Sequence, residues 1–205
     1  MTYTSYDCEQ RTPEWFALRR GRITASEAHK LTTSSKFGTF KYKLLAETLT
    51  DPTDEEPFVN DAMQRGIDME QHVINLYAES KEDEEEDFYT EGFCVSHDYP
   101  ICGASPDLVV GSKGLSEIKI PNTETHLRYI EQGPTTEIIC QMQYQLFVLN
   151  RAWNDFTSFD DRLKDEKLHL YVKRFKRDEA MITEFKKKAV KMKEFINMFR
   201  MEHGV

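Results

Sequence analysis

At 205 residues, with 13 Phe and 9 Tyr, the chain has the length and aromatic content to bury a core, which excludes a disordered polypeptide. No stretch approaches the ~18 apolar residues of a membrane span. No apolar leader is visible at the N-terminus, and the four cysteines (Cys8, Cys94, Cys102, Cys140) are scattered without a C-x-x-C pair, so reduced thiols in a cytosolic protein are expected rather than a zinc site or disulfide frame.

The net charge of −9 argues against a general nucleic-acid coat, yet the charge is uneven. Between Arg11 and Lys43 stand eight Lys and Arg (Arg11, Arg19, Arg20, Arg22, Lys30, Lys36, Lys41, Lys43) against two acids, Glu14 and Glu27. That segment suits a local grip on phosphate, and equally a chance asymmetry on solvated helices. No repeat or linker divides the chain, and residues 1–205 are read as one domain.

In chain order, Thr12-Pro13-Glu14 predicts a helix start, with Thr as N-cap, Pro at the first helical position and Gly21 as the stop. Trp15, Leu18 and Phe16 supply its apolar side. Thr24 and Glu27 have the spacing of a capping box, so a second helix is expected from Thr24. Thr32 to Lys36 reads as a polar loop, Tyr42 to Leu49 as a helix with Leu44, Leu45 and Leu49 inward, and Asp51 to Pro57 as an acidic loop.

Asn60 should cap a long helix to about Ser80, in which Met63, Ile67, Glu70, Ile74 and Tyr77 recur at helical spacing. Glu70 lies in that apolar stripe, where a carboxylate needs a partner. An arginine partner and a bound metal are the two alternatives. The run of six acids from Glu82 to Asp87 reads as a solvated loop. Phe88 to Val95 and Tyr99 to Ala104 read as strands.

Ser105 to Pro121 reads as a hairpin turning at Gly111-Ser112-Lys113-Gly114. Strand alternation places Glu117 and Lys119 on one face, with Ser116, Ile118 and Ile120 on the other. Asp107 lies level with Glu117 on the partner strand. Two carboxylates and one amine thus share one short hairpin. Carboxylate oxygens suit Mg²⁺. The metal polarises a phosphoryl oxygen and acidifies a bound water, while a lysine orients that water or offsets developing charge. The plain alternative is a surface hairpin with a Glu/Lys pair.

Pro121 to Pro134 reads as an irregular polar stretch over that face, with His126 and Arg128 available to DNA. Thr136 to Asn150 is a helix with Ile138, Met142, Leu146 and Leu149 on its apolar side and Gln141, Gln143 and Gln145 interspersed. Ala152 to Asp160 and Lys167 to Arg174 are two strands joined at Phe159-Asp160-Asp161-Arg162. A last helix runs from Asp178 to about His203, with five lysines between Lys186 and Lys193 facing either solvent or DNA.

Four motifs in this order carry a resemblance: W-x-x-L-R-x-G-x-I-T-A-S-E from Trp15 to Glu27, G-x-x-x-E at Gly66 and Glu70, S-P-D with E-x-K from Ser105 to Lys119, and Q-x-Q-Y at Gln141 to Tyr144. Together they resemble the phage lambda-type exonucleases, the YqaJ-like viral recombinase family within the PD-(D/E)xK nuclease superfamily. The resemblance runs from Trp15 to about Glu179 and departs at Arg65, where the family often has tryptophan, and at the acidic run.

It implies an α/β fold with a mixed central sheet of about five strands flanked by helices. It implies a metal-dependent 5′-to-3′ exonuclease on linear double-stranded DNA that releases 5′-mononucleotides and leaves a 3′ overhang for phage recombination by strand annealing. Asp107, Glu117, the Ile118 carbonyl and Glu70 would hold Mg²⁺, or Mn²⁺ in its place, and Lys119 would position the attacking water. Arg19, Thr24, Ser26, Ser105 and Gln143 would grip the 5′-phosphate, with Gln141 as support. A homotrimer ring around double-stranded DNA, a phage single-strand annealing protein as partner, no membrane, and the cytoplasm of a bacterial host are further expectations. A restriction-type or structure-specific endonuclease, or a non-catalytic DNA-end binder, are the alternatives.

Overall fold

The computed structural model describes residues 2–52, 60–81 and 86–205. In chain order the elements are β1 (Tyr3–Tyr6), α1 (Pro13–Arg19), β2 (Ile23–Thr24), a 3₁₀ segment (Ala25–Leu31), α2 (Ser34–Leu49), α3 (Asp61–Glu79), β3 (Phe88–Tyr89), β4 (Phe93–Ser96), β5 (Cys102–Ala104), β6 (Leu108–Val110), β7 (Gly114–Lys119), α4 (Thr123–Gln132), α5 (Thr136–Leu149), β8 (Trp153–Phe159), a second 3₁₀ turn (Glu166–Leu168), β9 (Leu170–Lys176) and α6 (Glu179–His203).

The expected five-stranded mixed sheet is present, in the order β3-β6-β7-β8-β9, with β7 and β8 parallel and every other neighbour antiparallel. The parallel pair requires a crossover, and α4 and α5 supply it. β7 and β8 are central strands and are buried along almost their whole length, polar residues included. Ser116 and Thr157 satisfy each other across them at 2.8 Å. Gly114 opens β7 because a Cβ there would lie 2.2 Å from the Trp153 ring.

A second sheet, in the order β1-β4-β5-β2, was not anticipated. Phe88 to Val95 is not one strand. It is β3 in one sheet and β4 in the other, broken at Gly92, where a Cβ would meet the Tyr6 carbonyl oxygen at 2.1 Å. α5 lies among the 3₁₀ segment, β4, β5, β8 and α6, and is buried on nearly every side. Its apolar residues join Phe37, Phe40 and Leu44 of α2 and Ile182, Phe185 and Met192 of α6 in the largest core cluster.

Four local expectations need correction. Thr24 does not open an α-helix: it pairs with Gly103 in the parallel β2–β5 ladder, and a 3₁₀ segment follows. No capping box forms: the Thr24 hydroxyl donates to Glu27 Oε2 at 3.3 Å and caps no backbone N–H, while Glu27 Oε1 is drawn to Lys30 at 2.7 Å and Lys43 at 2.5 Å. α2 starts at Ser34 under a Thr33 cap, so most of the expected polar loop is helical, and Leu49 at its end is exposed. Pro121 to Pro134 is ordered as α4, capped by the Asn122 side chain. His126 on it is fully buried between the Ser158 hydroxyl and the Leu168 carbonyl, both at 2.7 Å, which removes it as a DNA contact. The last strand begins at Leu170, three residues later than expected, because the second 3₁₀ turn takes up Glu166 to Leu168. Of the two expected acidic loops, residues 53–59 and 82–85 lie outside the described residues. No described helix is long and apolar enough to cross a membrane.

Candidate active site

The β6–β7 register pairs Leu108 with Ser116, which sets Asp107 opposite Glu117. Asp107 accepts a hydrogen bond from the Ile118 backbone N–H at 2.7 Å, so the two strands are joined at the residue between Glu117 and Lys119. The Lys119 ammonium reaches the Glu117 carboxylate along the same face of β7. Glu117 is fully buried, and each of its oxygens has an amide donor from α5: Gln141 Nε2 to Oε1 and Gln145 Nε2 to Oε2, both at 2.6 Å. Asn154 on β8 donates to Gln145 Oε1 at 2.8 Å and so turns the Gln145 amide nitrogen toward Glu117.

The electrostatics are those of crowded carboxylates in a water-poor site. Loss of water raises Asp107 well above the usual carboxylate range; the Glu117 charge adds to this and Lys119 opposes it. Burial also raises Glu70, on the facing side of α3, against the opposing charges of Arg11 and Lys119. Burial alone would lower Lys119, but Glu117 and Asp107 outweigh it and hold the ammonium protonated above the ordinary lysine range. Arg11 and Lys119 offset the Glu70 charge in part, and among the described residues neither forms an ion pair with it.

Asp107, Glu117, Glu70 and the Ile118 carbonyl form an all-oxygen donor set with surplus negative charge, which fits a hard divalent cation in kind. As the side chains stand, no three His, Cys, Asp or Glu among the described residues are close enough together to enclose one.

A second cluster sits where α1 turns into β2. Arg19 Nη2 donates to Thr24 Oγ1 at 3.4 Å and Ser26 Oγ at 3.1 Å, and the two hydroxyls are 3.3 Å apart. The guanidinium stacks on Trp15, 4.0 Å from the ring centroid, and Trp15 Nε1 donates to Ser105 Oγ at 2.8 Å. Burial lowers the Arg19 pKa, with Glu27 and Glu47 opposing. Arg19, Thr24, Ser26 and Ser105 are therefore brought together.

Gln143 is not among them. Its amide donates to the Lys176 carbonyl and accepts from the Asp178 N–H, both at 2.8 Å, pinning the junction of β9 and α6. Helical geometry explains the split: residues four apart share a face, so Gln141 and Gln145 point to Glu117, while Gln143 points away. Gln145 was given no role in the sequence, although its spacing from Gln141 was the available signal. Asp160 and Arg162 form a structural clamp: Arg162 Nε meets Asp160 Oδ1 at 2.6 Å and Arg162 Nη2 meets the Pro121 carbonyl at 2.9 Å, with Thr123 and Arg65 also on Asp160.

Residues 14–152 match the YqaJ-like viral recombinase domain. Two crystal structures of LHK-Exo align at 34% identity over 94% of this chain and 98% of theirs: the complex with dAMP at a TM-score of 0.78, and the alkaline exonuclease from Laribacter hongkongensis at 0.77. A phage-related exonuclease from Haemophilus somnus 129PT aligns at 12% identity and a TM-score of 0.63 over 89% of this chain and 96% of its own, a likeness of fold alone. No curated protein matches the sequence.

Proposed function

The chain belongs to the YqaJ-like viral recombinase family, and from that premise we propose that it is a metal-dependent 5′-to-3′ exonuclease acting on linear double-stranded DNA. One observation carries the reading. A carboxylate–lysine hairpin and an arginine–hydroxyl cluster are joined through Trp15 and Ser105, so the parts for bond cleavage and for phosphate capture belong to one site. Arg19, Thr24, Ser26 and Ser105 hold the terminal 5′-phosphate. Phosphate contacts set register without reading bases, which makes cleavage dependent on an end rather than on a sequence. Gln141 serves by orienting Glu117, and Gln143 by fixing the β9–α6 junction instead of by touching phosphate.

Asp107, Glu117, Glu70 and the Ile118 carbonyl would hold Mg²⁺, with Mn²⁺ as a substitute. When bound, such a metal polarises the phosphoryl oxygen and acidifies a water. Glu117 is held in orientation by Gln141 and Gln145. Lys119 carries a proton and a positive charge beside the reacting phosphate, where it orients the attacking water and offsets charge developing on the phosphoryl oxygens. The product is a 5′-mononucleotide, a reading supported by the dAMP complex of LHK-Exo.

Family membership supports the remaining assignments: a homotrimer ring around the duplex, a phage single-strand annealing protein that takes the 3′ overhang, and work in the cytoplasm of a bacterial host. The test is digestion of a linear duplex carrying one 5′-phosphorylated end, with Mg²⁺, beside a closed circle and Lys119→Ala. Strand loss from the phosphorylated end, an intact circle and an inactive variant are expected. Cutting of the circle would overturn end dependence.

A further inference from the structure

Gln145 is fully buried and its amide is used on both sides. Nε2 donates to Glu117 Oε2 at 2.6 Å and reaches the Ser105 carbonyl at 3.5 Å, while Oε1 accepts from Asn154 Nδ2 at 2.8 Å. The next contact along the line is Ser105 Oγ with Trp15 Nε1 at 2.8 Å, and beyond it Arg19 lies on the Trp15 ring. A continuous line therefore runs from Glu117 through Gln145, Ser105 and Trp15 to Arg19, Thr24 and Ser26.

Asn154 is fully buried, and its own side-chain oxygen has no hydrogen-bond partner among the described residues. A residue present only to fill β8 would not leave a buried acceptor unmet. Its amide nitrogen instead imposes a sense on Gln145, keeping the donor end toward Glu117.

The geometry points to Gln145, locked by Asn154, as a positioning residue that couples occupancy of the 5′-phosphate cluster to the orientation of Glu117. The inference rests on the function proposed above and deepens it. A phosphate on Arg19 draws the guanidinium toward the ligand. Trp15 is in direct contact with that side chain, and Ser105 is in contact with Trp15. The Ser105 carbonyl and Glu117 share one amide, so a filled cluster favours one setting of the carboxylate and an empty cluster leaves it freer. End recognition would then raise the rate of cleavage as well as the affinity.

The test compares kcat and KM on linear duplexes with 5′-phosphate and 5′-hydroxyl ends for the wild-type protein, Gln145→Met and Asn154→Asp, with melting temperatures recorded alongside. Met keeps the volume and removes the amide. Asp accepts where Asn donated, so it turns the Gln145 oxygen toward Glu117. Wild type should show a kcat advantage for the phosphorylated end. In both variants that advantage should shrink by about tenfold or more, while the KM preference for the phosphorylated end, set by Arg19, Thr24 and Ser26, should stay within about twofold. Variants that keep the wild-type kcat ratio would overturn the coupling and leave the function standing. A wild-type protein indifferent to the end phosphate would overturn both. If Gln145→Met fails to fold, the kcat ratio of Asn154→Asp decides.

Discussion

The carboxylate hairpin and the arginine cluster occupy two ends of one line of contacts, and they are built in opposite ways. Glu117 and Lys119 stand on a central strand bonded on both sides, to β6 and to β8. Their relative placement follows from strand alternation. Arg19, Thr24 and Ser26 come from the end of a short helix, a two-residue strand and the first turn of a 3₁₀ segment; their side chains meet through contacts with one another, and the sheet pairing behind them is the short β2–β5 ladder. The hairpin is rigid because the sheet is rigid. The cluster can adapt to a ligand because little backbone pairing fixes it. On the function proposed above, chemistry falls on the part of the fold most tied to neighbouring strands, and capture of the substrate on the part least tied to them.

Changes at the hairpin should have the largest effect. Asp107→Asn or Lys119→Ala should lower kcat by about 10²–10⁴-fold with the melting temperature little changed, as measured by single-turnover digestion of a linear duplex. Equal activity in either variant would break the assignment of the hairpin as the reacting centre. Arg19→Ala comes next. Losing a charge-assisted contact worth about 1.5–3 kcal/mol should weaken binding of phosphorylated ends by about 10- to 100-fold, with 5′-hydroxyl ends affected far less. Titration of the two end types by fluorescence anisotropy would read this difference, and equal losses on both would make Arg19 a general DNA contact.

Gly114→Ala tests the rigidity itself. A Cβ there lies 2.2 Å from Trp153, so overpacking should destabilise the fold by about 1–3 kcal/mol and lower the thermal midpoint without changing the preference for an end. The smallest effect concerns the clamp beside the hairpin. Burial would raise the pKa of Asp160, but hydrogen bonds from Arg162 and Thr123 outweigh it and bring it from 3.8 down to about 2. A depressed carboxylate stabilises the fold fully above its unfolded value, and that contribution is lost as pH falls through about 2. Asp160→Asn should therefore flatten the stability profile between pH 4 and pH 2 in chemical denaturation. A profile unchanged by the substitution would remove the clamp from the acid response.

The same contrast decides how much was legible in advance. The hairpin, the caps at Thr12 and Asn60, and the helices around Glu70 and Gln141 follow from period, capping and turn chemistry, which act within a few residues. The mixed five-stranded sheet was expected from the family resemblance, and it is present. What failed depended on distant partners. Thr24 has the spacing of a capping box, but its backbone is claimed by β5, and Glu27 is claimed by Lys43. His126 looked exposed on a polar stretch until α4 was packed on β8. Gln143 and Gln145 are both glutamines on one helix, and only the positions of Glu117 and the β9–α6 junction distinguish their roles.

The parallel pairing of β7 with β8 has a consequence in time as well as in space. The hairpin that carries Asp107, Glu117 and Lys119 is made from neighbouring residues and can form early in synthesis. The amides that hold Glu117, at Gln141 and Gln145, come later in the chain, and Asn154, which sets the sense of one of them, lies later still on β8. A chain emerging from the ribosome thus exposes its acidic hairpin before it can align it. On the function proposed above, the capacity to degrade DNA is among the last properties the polypeptide acquires, and a truncated product lacking β8 would carry the motif without the enzyme.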